Sequence, residues 1–173
     1  QMILREDKNE GLKTYSSNVK EYAVNIGRAS ESLLSIINDI LDLSKIESGK
    51  MNLVEMDYDT NELIRGVITM INVRAKDKGL DFYKEIDPAL PKKLYGDNGK
   101  IKQVVLNLLT NSVKYTEEGS FTLSIKVLEK SEGFATIRYS VKDTGIGIKP
   151  EDMGKLFSAF ERLDEKRNSG IQG

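Results

Sequence analysis

Apolar side chains recur at alternating intervals of three and four residues through the first part of the chain. This spacing is the a/d repeat of a coiled-coil helix, and it is kept for more than four heptads. It predicts a helix over residues 11–47, about 55 Å long at about 1.5 Å per residue. Residues 1–7 are predicted to end a preceding helix, and residues 8–11 to form the turn. The heptad seam consists of Leu12, Tyr15, Val19, Tyr22, Ile26, Ala29, Leu33, Ile36, Ile40 and Leu43.

A helix with such a seam requires a partner that covers it. Because two apolar residues in seven make a narrower stripe than the buried face of a globular helix, the seam favours a helical hairpin that doubles into a four-helix dimer. The chain would hold mostly the second helix of that hairpin. The alternative is a long helix that lies on its own domain. Gly49 ends the predicted helix, since glycine favours the left-handed cap, and the predicted domains are residues 1–48 and 49–173.

The remainder of the chain mixes strand and helix patterns without a strict βαβ rhythm. Thr60 or Asn61 is the predicted cap of its first helix and Asp97 that of its second. Two strands alternate cleanly and are joined by a turn over residues 130–133. The predicted fold class is α+β, a two-layer sandwich with helices on one face of a mostly antiparallel sheet. Predicted helices cover 60–76 and 97–115, and predicted strands cover 51–57, 80–86, 94–95, 121–127 and 135–141.

The second of these helices carries two stripes. At about 100° per residue, one face is predicted to be core and comprises Ile101, Val104, Val105, Leu108 and Ser112. A polar stripe of Lys100, Asn107, Asn111 and Lys114 lies beside it within about 60°. A solvated surface would explain this stripe. However, asparagine is a mediocre helix former, and amide oxygens suit a hard cation such as Mg²⁺, while lysine suits phosphate. Tyr115, between the two faces, suits stacking on a planar ring.

Two further segments carry candidate chemistry. Asp143 ends the last predicted strand and precedes Gly145 and Gly147, which permit close approach of the backbone to a ligand. The Asp143 carboxylate can accept a hydrogen bond from an amino group. Gly-x-Gly also forms ordinary turns, and the chain has no G-x-G-x-x-G or Walker loop. Residues 156–162 predict a short amphipathic helix with two aromatic residues. The alternative is that these aromatic residues only cover the core.

Composition removes several classes of function. The chain has 173 residues and a net charge of −1, so charge gives no reason to expect nucleic acid or an anionic membrane as a partner. It has no Cys and no His, which excludes disulfides, thiolate chemistry, His-ligated metals and His acid–base catalysis within the chain. Its most apolar stretch falls well short of the roughly 20 residues that a membrane span needs. Gln1 is not a natural start, so we expect a longer parent protein.

The motifs, taken in order, resemble those of bacterial sensor histidine kinases. NLLTNSVKYT (107–116), DTGIGI (143–148) and LFSAFERLD (156–164) are similar to the N box, first glycine box and F box of that family. GIQG (170–173) is similar to the start of the second glycine box, and ILDLSKIESGKM (40–51) to the end of the second dimerisation helix and its linker. The sequence of these motifs is most similar to that of hybrid kinases, which carry receiver domains.

The resemblance implies a role for individual residues. Asn111 would coordinate the Mg²⁺ that bridges the ATP phosphates, and Asn107 would line the same site. Lys114 would contact phosphate, Tyr115 would pack near the adenine, and Asp143 would accept the adenine amino group. The remaining implied site residues are Gly145 and Gly147 in the closing loop, Phe157 and Phe160 at the base of the ATP lid, and Arg162 near the γ-phosphate.

The reaction implied is transfer of the ATP γ-phosphoryl group to a histidine, with relay to a response-regulator receiver domain. The heptad seam predicts a homodimer, and the charge balance predicts no nucleic-acid partner. We also expect a cytoplasmic location, within a parent that membrane helices elsewhere could anchor. Related ATPases place a glutamate base where Asn107 stands, which predicts slow hydrolysis here. The phosphoacceptor His would lie upstream of Gln1, and the second glycine box stops at Gly173. A non-catalytic dimerisation or nucleotide-sensing module, or a degenerate ATPase, is therefore the alternative.

Overall fold

The computed structural model describes the backbone of residues 3–155 and the side chains from Asn18 to Gly154, apart from Lys20, Arg28, Glu31, Ser32 and Ser35. The chain divides into two compact units between Asn52 and Leu53. Unit 1 consists of a single helix, α1, over Ile3–Glu47. Within the described side chains of the heptad seam, six large apolar residues are exposed to solvent: Val19, Tyr22, Ile26, Leu33, Ile36 and Ile40.

The predicted turn over residues 8–11 is wrong, because α1 is continuous through this segment. The only helix-breaking residue there is Gly11, and one glycine inside a helix costs only about 1 kcal/mol relative to alanine. Its neighbours Lys8 and Glu10 are good helix formers, and no proline interrupts the run. A hairpin is therefore not formed within the described residues of unit 1. The helix ends as predicted, with Gly49 at a φ of 64°.

Unit 2 is an α+β sandwich, as predicted. A three-stranded sheet has the order β2-β4-β5, with β2 parallel to β4 and β4 antiparallel to β5. A separate antiparallel pair is formed by β1 and β3. The elements are β1 Met56–Asp59, α2 Thr60–Lys78, β2 Asp81–Ile86, β3 Lys93–Gly96, α3 Asn98–Tyr115, β4 Ser120–Ser131, β5 Phe134–Asp143 and a 3₁₀ turn over Pro150–Lys155.

The core lies between the three-stranded sheet and the two helices. Alternate residues of β4 face the helices, namely Phe121, Leu123 and Ile125, and all three are fully buried. They belong to one apolar cluster with Ile71 of α2 and Leu109 of α3. Phe82, the register partner of Phe121 on β2, stacks on it with ring centroids 4.7 Å apart. Because paired residues share a face of the sheet, this register also fixes which side chains of β5 point toward α3.

The predicted first strand, residues 51–57, is too long and starts too early. Only Met56–Asp59 forms β1, because its partner β3 offers four residues, Lys93–Gly96. The predicted cap of α2 is also shifted by one residue. Asp59 is the N-cap, and its carboxylate accepts hydrogen bonds from the amides of Asn61 and Glu62, at 2.7 and 3.2 Å.

The buried face of α3 is rotated relative to the prediction. The buried residues are Val105, Leu109, Ser112 and Val113, whereas Val104 and Leu108 are 59% and 43% exposed. All of these positions are apolar except Ser112, so the sequence of α3 shows a band wider than the sheet can cover. The sheet covers only one side of that band, and the exposed part adjoins Asn111.

A lysine ties the two helices together at their C-terminal ends. Lys78, the last residue of α2, donates from Nζ to the carbonyl oxygens of Val113 and Lys114, at 2.7 and 2.9 Å. These carbonyls belong to the last turn of α3, where no further amide of the helix can reach them. The ammonium also complements the negative end of the α3 dipole. Lys78 therefore fixes the end of the helix that carries Tyr115.

The helices of the described segment include none that is both long enough and apolar enough to cross a membrane.

We predict that Lys78→Met lowers the free energy of unfolding by about 1 kcal/mol, because two charge-assisted hydrogen bonds to α3 are lost at a partly exposed site. Urea unfolding followed by circular dichroism measures the change. Lys76→Met is the matched control, since Lys76 also lies in the last turn of α2 and has the same interaction with the α2 dipole. Equal destabilisation by both variants would contradict the assigned role of Lys78.

Candidate nucleotide-binding site

Asp143 is the last residue of β5, and its side chain points toward the helices. The register partner of Asp143 is Phe121, whose ring lies in the core between sheet and helices. One carboxylate oxygen, Oδ2, accepts a hydrogen bond from the Ser112 hydroxyl of α3 at 3.0 Å. The other, Oδ1, accepts from the amide of Gly145 at 3.0 Å. Asp143 is nevertheless exposed, so a ligand can reach a carboxylate whose orientation is already fixed.

The loop after β5 is bound to the C-terminal end of α3 and to the start of β4. The amide of Ile146 donates to the carbonyl of Tyr115 at 3.2 Å. Thr144 makes a reciprocal pair with Ser120: its amide donates to the Ser120 carbonyl at 3.0 Å, and its hydroxyl accepts from the Ser120 amide at 3.1 Å. The loop, β4 and α3 therefore meet at one edge of the sandwich, beside Asp143.

Gly145 is required at its position for steric reasons. A Cβ atom there would lie 2.4 Å from the Tyr115 carbonyl oxygen and 3.0 Å from both Asp143 Oδ1 and Thr116 Oγ1. The first of these neighbours is backbone and cannot move aside without breaking the Ile146–Tyr115 hydrogen bond. Gly147 is required for its backbone conformation, because its φ of 68° lies in the left-handed region that favours glycine. Space is not the reason, since a Cβ atom there would meet nothing within 4 Å.

One face of α3 beside this loop is open. Val104, Leu108, Asn111 and Tyr115 fall within an arc of about 60° at about 100° per residue, next to the arc of Ser112. Val104, Leu108 and Asn111 are exposed, and Tyr115 is half-buried. The Lys114 ammonium lies 5.2 Å from the centroid of the Tyr115 ring. An open face with apolar, amide and aromatic groups suits a flat heterocycle carrying polar substituents.

The N-terminal end of α3 is held by Asp97, as predicted. Its Oδ1 accepts from the amide of Lys100 at 2.9 Å, and its Oδ2 accepts from the amide of Val54 at 2.9 Å. These two hydrogen bonds hold the pKa of the Asp97 carboxyl below its ordinary value of 3.8, and the bond from the Lys100 amide has the larger effect. Asp97 thus stays ionised at neutral pH and joins α3 to the segment before β1.

The donor set on α3 fits a magnesium ion that is shared with phosphates. Asn107 and Asn111 lie one turn apart and are both exposed, so their amide oxygens are available. The described residues contain no cluster of three or more acidic or other metal-binding side chains. Mg²⁺ commonly keeps several waters and takes only one or two protein oxygens when substrate phosphates supply the rest. An amide oxygen of Asn107 or Asn111 could serve as such a ligand.

The structure describes seven of the ten residues predicted for the site. It brings together Asp143, Gly145 and the end of α3 at Tyr115, through the hydrogen bonds above. Asn107, Asn111, Lys114 and Gly147 lie on α3 and in the loop after β5. Phe160 and Arg162, as well as Phe157 of the predicted lid, lie outside the described residues.

Sequence reasoning missed two hydroxyls of this site. Ser112 was assigned to the core face, but its hydroxyl contacts Asp143. Thr116, which follows α3, is fully buried, and its Oγ1 has no hydrogen-bond partner among the described residues. A polar residue at an otherwise apolar helix position was the only available signal for Ser112.

The chain is similar to known ATPases and histidine kinases. Residues 96–173 match the family described as histidine kinase-, DNA gyrase B- and HSP90-like ATPase. A curated relative is hybrid signal transduction histidine kinase B of Dictyostelium discoideum, 37% identical over 160 residues, which are 92% of this chain and 8% of that protein. The chain therefore spans a small part of the relative that it matches.

Two solved structures share the fold. The structure of full-length ShkA in complex with AMPPNP has a TM-score of 0.68 and 29% identity, and the match covers 83% of this chain and 30% of that one. The structure of the histidine kinase ThkA in complex with the response regulator TrrA has a TM-score of 0.56 and 25% identity, covering 75% of this chain and 38% of that one. Residues 96–173 therefore belong to the histidine kinase-, DNA gyrase B- and HSP90-like ATPase family, and the curated relative and ThkA, which the chain resembles, are histidine kinases.

Proposed function

We propose that this chain binds ATP with Mg²⁺ and transfers the γ-phosphoryl group to a histidine of a two-component signalling protein. The observation that carries the proposal is the Asp143 carboxylate, which is anchored at both oxygens yet exposed beside the open face of α3. The AMPPNP complex of the similar kinase ShkA supports it, since AMPPNP is an analogue of ATP.

The Asp143 carboxylate selects the base. An ionised carboxylate only accepts hydrogen bonds, and two of its roughly four acceptor positions are taken by Ser112 and Gly145. The remaining positions require a donor from the ligand. Adenine presents its 6-amino group there, whereas guanine presents a 6-carbonyl oxygen that a carboxylate repels. Val104, Leu108 and Tyr115 supply apolar and aromatic surface for the ring.

The polar stripe of α3 serves the phosphates. Asn111, with Asn107 beside it, would hold Mg²⁺, and the ion when bound neutralises charge on the β- and γ-phosphates. Lys114 supplies a point charge for phosphate. We assign Phe157 and Phe160 to the base of a lid, and Arg162 to the γ-phosphate, on the resemblance alone.

The reaction breaks the bond between the γ-phosphorus and its bridging oxygen and forms a phosphorus–nitrogen bond to imidazole, leaving ADP. Phosphoryl transfer depends on positioning and charge neutralisation more than on covalent chemistry of the protein. Asn107 cannot remove a proton from water, because an amide is not a base at neutral pH. This residue therefore favours holding ATP for a protein acceptor over hydrolysing it.

The acceptor and the partners are external to this chain. It has no His, so the acceptor histidine belongs to another segment or protein. We assign residues 1–48 to dimerisation, residues 49–173 to catalysis, the location to the cytoplasm, and the downstream partner to a response-regulator receiver domain. The complex of ThkA with the response regulator TrrA supports that last assignment.

The proposal predicts phosphate transfer without futile hydrolysis. When the chain is mixed with labelled ATP, Mg²⁺ and a helix that carries the family's phosphoacceptor histidine, we expect acid-labile, base-stable label on that helix. Without the acceptor, we expect no steady release of phosphate. Steady release would contradict the role of Asn107. Nucleotide binding without any label on the acceptor would favour the alternative, a nucleotide-sensing dimerisation module.

The base assignment predicts that Asp143→Asn weakens ATP binding by at least about 10-fold, because a carboxylate that accepts from the adenine amine is replaced by an amide. Isothermal titration calorimetry or a fluorescent ATP analogue measures the affinity. Asp81→Asn is the control, since Asp81 is an exposed carboxylate of β2 with no assigned contact to ligand. Unchanged affinity of the Asp143 variant would remove the residue from the site.

The heptad seam predicts a homodimer through α1. Ile26→Glu should convert the dimer to monomer in sedimentation velocity, because it places a charge within the apolar seam. Val24→Glu is the matched control, since Val24 is an exposed apolar residue of the same helix that lies off the seam. A wild-type chain that sediments as a monomer at high concentration would contradict the assignment.

A further inference from the structure

We propose that Ser112 is a positioning residue for base selection: its hydroxyl orients the Asp143 carboxylate so that the site prefers a purine carrying an exocyclic amine. This inference rests on the proposed function, because it concerns the same nucleotide site. Ser112 itself would not contact the base. It would act through Asp143, which does.

The Ser112 hydroxyl can donate to either of two acceptors. Its Oγ lies 3.2 Å from the carbonyl of Leu108, one turn back on α3, and 3.0 Å from Asp143 Oδ2. A hydroxyl has one proton, so it donates to only one of them at a time. The carboxylate is closer and charged, and a hydrogen bond to an ionised acceptor is roughly twice as strong as a neutral one. The proton is therefore directed to Asp143.

Packing does not explain a serine at this position. Ser112 is only 4% exposed, within a buried face that is otherwise made of Val105, Leu109 and Val113. Alanine would fill the same space, and it is the better helix former. Burying a hydroxyl is costly unless it is hydrogen-bonded, and here the bond that crosses from α3 to β5 satisfies it. The serine thus has its clearest use in the contact with Asp143.

The contact fixes the plane of the carboxylate. The terminal torsion of an aspartate is broad, so a carboxylate held at one oxygen can still rotate. Gly145 holds Oδ1 and Ser112 holds Oδ2, which leaves the unused acceptor positions in a fixed direction. Without the Ser112 hydroxyl, the Gly145 amide is the one of these two donors that still holds the carboxylate. Discrimination in favour of the amine should weaken, while contacts to ribose and phosphate should persist.

The test compares two nucleotides on one variant. Affinities are measured for ATP and for purine riboside triphosphate, which has hydrogen in place of the 6-amino group. For the wild-type chain we expect ATP to bind more tightly. In Ser112→Ala, we expect ATP to weaken by about 5-fold to 20-fold while purine riboside triphosphate changes less than about 2-fold. Because both values come from the same preparation, a partial loss of folded protein cancels in their ratio.

Two matched variants isolate the role of the hydroxyl. Thr110→Val removes another hydroxyl of α3, which donates to the Leu106 carbonyl at 2.8 Å and has no contact with Asp143, so the nucleotide ratio should not change. Ser112→Thr keeps the donor and should keep the preference. In an Asp143→Asn background, adding Ser112→Ala should have no further effect on the ratio, because the two residues act as a unit.

The outcomes separate this inference from the proposed function. An unchanged ATP preference in Ser112→Ala, with wild-type binding intact, overturns the inference and leaves the nucleotide site standing. A parallel loss for both nucleotides also overturns it, because that is the effect of a purely structural residue. A wild-type chain that binds neither nucleotide overturns the proposed function and, with it, the role of Ser112.

Discussion

The site depends on one constraint, which is the attachment of the loop after β5 to the C-terminal turn of α3. The Ser112–Asp143 and Tyr115–Ile146 hydrogen bonds join elements that are about thirty residues apart in the chain. Helix α3 can serve as an anchor because it is itself held at both ends, by Asp97 at its start and by Lys78 at its end. Gly145 then allows the loop to pass against the Tyr115 carbonyl. Together these contacts hold the Asp143 side chain in one direction.

The parts of the fold that local sequence determines were predicted. The alternation in β4 and β5, the Asp97 cap and the end of α3 at Tyr115 are local signals, and the structure confirms each of them. Asp143 could be singled out because it stands at a strand end before Gly-x-Gly. The fold class and the kinase resemblance were also confirmed. The resemblance could be recognised because several motifs occur in a fixed order, although each motif alone is only moderately specific.

The errors arose where tertiary contacts decide among local alternatives. The band of apolar residues on α3 is wider than the sheet, so sequence could not say that Leu109 would be buried while Leu108 is exposed. The length of β1 is set by its partner β3, 34 to 40 residues away, rather than by its own pattern. The cap of α2 falls at Asp59 because this residue has the extended backbone of a cap and its carboxylate accepts from the amides of Asn61 and Glu62. The contact between Ser112 and Asp143 depends on register in the sheet, which places Asp143 opposite Phe121 and therefore beneath α3.

This register also explains how one carboxylate can be hydrogen-bonded within the fold and still be open to a ligand. Because Asp143 shares a face with Phe121, its side chain is directed inward, where α3 supplies a donor. Because Asp143 is the last residue of β5, no further residue of the strand covers it. One residue earlier, Lys142 lies on the opposite face, and two residues earlier Val141 is half-buried over the core. A selective acceptor requires both a fixed direction and access from solvent. Within this strand only the terminal inward position combines them, so the proposed base contact depends on where β5 ends.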